Sequence, residues 1–73
     1  MYIVIELQTN GSGQVANLVT TYEDKNEAES KFHQILSAAS VSNVPVHSAV
    51  ILTETGMMER QECYIHKEAT NEG

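Results

Sequence analysis

Apolar residues run without interruption through Tyr2-Ile3-Val4-Ile5 and again through Val50-Ile51-Leu52. A strand with one wet face alternates apolar and polar positions, so runs of this kind predict strands that carry apolar side chains on both sheet faces. Residues 2–9 read as the first strand, alternating only toward its end. Asn10-Gly11-Ser12-Gly13 then supplies glycines that accept positive φ in a tight connection. Residues 15–22 follow as the second strand, with Ala16, Leu18, Thr20 and Tyr22 on one side and Val15, Asn17, Val19 and Thr21 on the other.

The pattern changes to a helical period after Tyr22. Asp24 stands where an N-cap belongs, and Glu27 three residues later completes a capping-box pattern. Ala28, Phe32, Ile35, Leu36 and Ala39 form one stripe, which predicts a helix from Lys25 to Ala39 or Ser40. His33 falls off that stripe and is expected to be exposed. Glu27 and Lys31 form an i, i+4 pair worth about 0.3 kcal/mol. Asn43 can turn the chain, and Pro45 disfavours helix just before it. Residues 46–53 read as the third strand, Glu54-Thr55-Gly56 as the turn of a bulged hairpin, and residues 57–66 as the fourth strand.

The predicted fold is α+β, in the order ββαββ, with a four-stranded antiparallel sheet and one helix on one face. Residues 1–66 form the domain, and residues 67–73 read as a flexible acidic tail. The helix stripe is expected to meet Ile3, Ile5 and Leu7, leaving Tyr2, Val4 and Glu6 on the opposite face. One helix covers only one face of a sheet. Tyr2, Val4, Val50 and Leu52, with Met57 and Met58 beside the turn, are therefore the predicted interface with another copy of the chain.

Composition supports association. Seventy-three residues lie near the lower limit for a self-sufficient core. Cys63 is the only cysteine and cannot pair within the chain, and the three histidines show no metal-ligand spacing. No metal or cofactor is assigned. The net charge of −6, with only four Lys and Arg residues, argues against binding a long nucleic acid. Met1 leads straight into a strand with no basic signal region, and no apolar run approaches the ~20 residues of a membrane span. These features, with one unpaired cysteine, predict a cytoplasmic protein with no membrane contact.

Candidate chemistry gathers on the fourth strand, where Arg60, Glu62, Tyr64 and His66 alternate on one face. Such a row can bind a phosphate through Arg60, stack a base on Tyr64 and respond to pH through His66. The competing reading is a solvated strand face on which Arg60 and Glu62 satisfy neighbouring charges. His47 and Lys31 are the other candidate ligand-binding residues. Hairpin pairing brings His47 within a residue or two of Cys63, and a Cys/His pair is used in nucleophilic catalysis. No orienting residue or oxyanion donor accompanies them, and Cys63 reads instead as a small buried filler. The Gly-Ser-Gly segment lacks the spacing and the following helix of a phosphate loop. No residue is assigned as catalytic.

The opening strand, the "TYEDKNEAE" helix start and the "VPVHSAVIL" strand resemble those of short accessory proteins of bacteria, phages and prophages. That resemblance implies a small oligomeric protein, of the kind that captures nucleotide signals made by bacterial defence systems. The first expectation is thus a non-enzymatic homo-oligomer that sequesters a small anionic, nucleotide-like ligand where subunits meet. The second is an inhibitor or regulator that offers an acidic surface or strand edge to a host protein. The third is a small dimeric α+β enzyme using His47 with Cys63 or Tyr64.

Overall fold

The two uninterrupted apolar runs become the two central strands. In the computed structural model, which describes residues 1–66, β1 (Tyr2–Thr9) lies antiparallel to β3 (Val46–Thr53). The shorter-patterned β2 (Val15–Tyr22) and β4 (Met58–Ile65) form the edges, in the order β2-β1-β3-β4. The expected acidic tail, residues 67–73, lies outside the described residues. β2 and β3 are each antiparallel to β1, so the helix α1 (Lys25–Ser40) joins two parallel strands by crossing over the strand between them.

Local chemistry explains where each element starts and stops. The Asp24 side chain accepts from the Asn26 N–H at 3.2 Å, and its carbonyl accepts from the Ala28 N–H at 3.2 Å. At the other end the Val41 N–H donates to the Ala38 carbonyl at 3.3 Å and the Ser42 N–H donates to the Ala39 carbonyl at 3.2 Å. Asn10 organises the first hairpin, its Oδ1 accepting from the Ser12 N–H, the Ser12 hydroxyl and the Gln14 N–H at 2.8–3.0 Å. These amides face a side-chain oxygen, so the Gly-Ser-Gly segment is a hairpin turn, as its spacing predicts. The second hairpin closes through Gly56 at φ 91°, a left-handed conformation that favours glycine.

The helix packs Ala28, Phe32, Ile35 and Ala39 against the sheet. Val4 and Ile51 lie opposite one another in the register and meet this stripe with Ala49, while Tyr2, Tyr22 and Leu36 flank it. Phe32, Ile51 and Val4 are the largest side chains wholly removed from solvent. This arrangement reverses the expected faces. Ile3, Ile5 and Leu7 point away from the helix, whereas Tyr2 and Val4 belong to the core and are unavailable as interface residues. The reversal arises because four consecutive apolar residues in β1 carry no period-two signal.

The face away from the helix is open. It presents Ile3, Ile5, Leu7 and Thr9 from β1 and Val46, Ser48, Val50 and Leu52 from β3. The edges add Val15, Asn17, Val19 and Thr21 from β2 and Met58, Gln61, Cys63 and Ile65 from β4. None of these sixteen described residues carries a formal charge, and Glu59, inserted by the bulge, reaches Lys25 of the helix at 3.9 Å. Val50 and Leu52 lie here as expected, with Met58 beside Leu52; Met57 sits in the adjoining turn. Val19 and Ile65 are 55% and 69% exposed, so large apolar groups meet water on both edge strands. Among the described residues, no helix is long and apolar enough to cross a membrane.

Candidate functional site

The charged residues of the sheet lie on the helix side. The register sets Arg60, Glu62 and Tyr64 of β4 opposite Ile51, Ala49 and His47, and His66 continues the row beyond the strand. The Arg60 Nη1 donates to Glu29 at 2.9 Å, and the guanidinium lies 5.2 Å from the centroid of the Phe32 ring. Arg60 therefore seals the edge of the core and neutralises a helix carboxylate. The Tyr64 and His66 rings are parallel within 7°, with centroids 6.2 Å apart. His66 Nε2 donates to the Ala39 carbonyl at 2.8 Å, satisfying one of the last carbonyls of the helix. Tyr64 is 39% exposed and is the most accessible group of the row's ring pair.

His47 is at the floor, 4% exposed. Its Nε2 lies 2.7 Å from Glu6 Oε2, which also accepts from the Gln8 amide at 2.9 Å. His47 Nδ1 is buried and has no protein partner. Burial by itself would raise the Glu6 pKa. The hydrogen bonds from His47 and Gln8 and the charges of His47 and Lys31 outweigh it, holding the Glu6 carboxyl below its ordinary 4.5. A carboxylate on the core side of β1 is thus tolerated because a histidine from β3 reaches it.

His47 and Cys63 stand one residue apart in the register, within the expected range, but their side chains lie on opposite faces and form no pair. A bulge between Ile51 and Leu52 inserts Glu59, so Tyr64 rather than Cys63 stands opposite His47. Cys63 pairs with Ser48 on the open face and is exposed, which also overturns its expected role as a buried filler. His33 is exposed as its helix position predicts, 3.5 Å from Glu29. Lys31 lies on the β2 flank of the helix, where it lines a depression with Tyr22, Glu27, Ser30 and Gln34. No Glu27–Lys31 ion pair forms among the described residues; the Lys31 charge acts on Glu6 instead.

The five candidate ligand residues are consequently divided by the helix. Arg60, Tyr64 and His66 lie on its β4 flank, His47 lies beneath it, and Lys31 lies on its β2 flank. Glu6 and Gln8 join His47 but are not apparent as site residues from sequence. Their one legible signal is that they share the parity of Tyr2 and Val4, an acid and an amide on a core-facing row. Among the described residues, no cluster of His, Cys, Asp and Glu could hold a metal ion. No family model, curated protein or solved structure matches the chain.

Proposed function

We propose that this protein is a non-enzymatic, homo-oligomeric binding protein whose subunits join through the open sheet face. The observation that carries the reading is the absence of charge from that face in a chain of net charge −6. Two copies can meet there without setting like charges against one another, and the polar exceptions are small or uncharged. Four strands of 8 residues give a flat footprint of roughly 500 Å² from strand rise and spacing. Side-chain relief brings such a surface toward the ~800 Å² per partner of a standard interface. Packing two such faces about 10 Å apart makes a sheet sandwich with a helix on each outer side.

Within this reading the oligomer captures a small nucleotide-like ligand, in the manner of phage proteins that sequester defence signals. The partly exposed Tyr64 ring supports base stacking at the β4 edge. A phosphate at Arg60 would have to compete with Glu29, so Arg60 alone gives that ligand weak support. Native mass spectrometry of the purified protein, followed by denaturation, tests both parts. An oligomer releasing a nucleotide-like molecule supports the whole reading. A monomer in stoichiometric complex with another protein would replace it with the inhibitor or regulator reading.

A further inference from the structure

The two edges of the sheet are built differently. β4 carries Glu59, Arg60 and Glu62 and is interrupted by the bulge, devices that discourage a further strand from pairing with it. β2 is 8 residues long with no charge, no proline and no bulge, and every residue but Tyr22 is exposed. The ladder fixes which backbone groups this edge offers. The Asn10 N–H donates to the Gln14 carbonyl at 2.9 Å, so hydrogen-bonded pairs with β1 recur at Ala16, Leu18, Thr20 and Tyr22. At the other end of the sheet, the Thr53 N–H donates to the Met57 carbonyl at 2.8 Å, which gives the same alternation when carried back through β3 and β1. The N–H and C=O groups of Val15, Asn17, Val19 and Thr21 therefore point outward from the edge. Among the described residues, they have no hydrogen-bond partner.

We propose that β2 pairs antiparallel with β2 of a second copy across a two-fold axis at Leu18, joining two sheets edge to edge. This register sets Val15 against Thr21 and Asn17 against Val19, so every outward-facing residue meets an outward-facing partner. Each such pair exchanges two hydrogen bonds, which gives about eight across the axis. Moving the axis to Asn17 or Val19 strands Thr21 or Val15 without a partner in β2, so the edge is complementary to itself in one best register. Leu18 then faces its own copy on the helix side, in a non-hydrogen-bonded pair, where opposed side chains approach most closely. That contact accounts for a leucine 63% exposed at the middle of an edge strand. The absence of charge lets β2 lie against itself in a chain of net charge −6. This contact is separate from the open face, and the two together would assemble four copies. Val19 belongs to both, its side chain on the open face and its backbone on the edge. Val19→Glu sets two carboxylates diagonally across the axis and should open both contacts.

The test combines sedimentation equilibrium with residue-resolved amide hydrogen exchange on the full chain, on Leu18→Glu and on Ile65→Glu. Leu18→Glu opposes two carboxylates at the axis on the helix side and leaves the open face unaltered. Ile65→Glu changes the open face at the far edge and leaves β2 unaltered. The parent chain should sediment as a tetramer and each single variant as a folded dimer, with unchanged circular dichroism. In the parent and in Ile65→Glu, the amides of Val15, Asn17, Val19 and Thr21 should exchange at least about tenfold more slowly than in Leu18→Glu. A parent dimer that Leu18→Glu reduces to a monomer, with Ile65→Glu unaffected, would keep the edge contact and refute the open-face reading. Outward amides that exchange as freely in the parent chain as in Leu18→Glu, or an assembled mass that Leu18→Glu leaves unchanged, would overturn this proposal. Should Leu18→Glu fail to fold, exchange of those amides in the parent chain decides: rates near those of an unstructured peptide would refute the pairing. Protection that appears only in a stoichiometric complex with another protein would refute self-pairing and assign the edge to that partner.

Discussion

Replacing Glu6 by Ala removes the one side-chain hydrogen-bond partner, among the described residues, of a histidine that is 4% exposed. His47 Nδ1 is already unpartnered, so the variant leaves the whole imidazole unsatisfied beneath the helix. A buried polar group left in that state costs about 1–3 kcal/mol, and loss of the Gln8 bond and the packed Glu6 stem adds to it. The expected destabilisation is about 2–3 kcal/mol. A domain of this size has roughly 4–11 kcal/mol in total, so the loss is a large fraction of stability. Urea unfolding at one fixed protein concentration should show it as a midpoint shift of about 2–3 M, for a slope near 1 kcal/mol/M. Glu6→Gln keeps an acceptor for His47 and should cost about 1 kcal/mol. In a His47→Leu background, Glu6→Ala should lose most of its effect, because no buried donor is left stranded. A cost below about 0.5 kcal/mol for Glu6→Ala, or an equal cost in both backgrounds, would refute the buried pair.

Three further outcomes follow from the same structure. Glu6 has a folded pKa below 4.5, so its ionised form contributes stability above that value and the contribution is lost as pH falls through the folded pKa. Urea midpoints measured downward from about pH 6 should fall more steeply below 4.5 in the parent chain than in Glu6→Gln. Arg60→Ala, which gives up the Glu29 bond and the contact with the Phe32 ring, should lower stability by about 1–2 kcal/mol. An unaffected unfolding midpoint would exclude the structural role of Arg60. Cys63 should react slowly with a maleimide in the assembled protein and rapidly in Val19→Glu/Ile65→Glu, since its thiol lies on the open face. Equal labelling rates would show that this face is uncovered in both.

Secondary structure was legible because local signals agreed. The Ala28–Ala39 stripe, the Asp24 cap, Pro45 and the two glycine turns each mark an end or a face without help from distant residues. The face assignment was not legible, and the reason lies in β1. Tyr2-Ile3-Val4-Ile5 offers both parities to the core, and Glu6 then argues for the wrong one. Only the pairing of β1 with β3 brings His47 to Glu6 across a separation of 41 residues. The β4 row was read correctly as one face, yet the charge that claims Arg60 comes from Glu29 on the helix. His47 and Cys63 came within one residue of each other as expected, yet the bulge at Glu59 sets Cys63 on the opposite face, which alternation alone did not reveal. A charge-free parity was present in β1, β2 and β3, but on β4 simple alternation sets Glu59 with Gln61, Cys63 and Ile65, so the bulge that puts Met58 in that row was needed as well as the strand order.

Sedimentation equilibrium on the parent chain and on Val19→Glu/Ile65→Glu tests the central claim most directly. Both positions are edge residues already exposed to solvent, so the charges should leave the protomer folded. The parent chain is predicted to sediment as a dimer or higher multiple, and the variant as a folded monomer with unchanged circular dichroism. A parent chain that remains monomeric at high micromolar concentration would contradict the claim that the uncharged face joins copies of this protein.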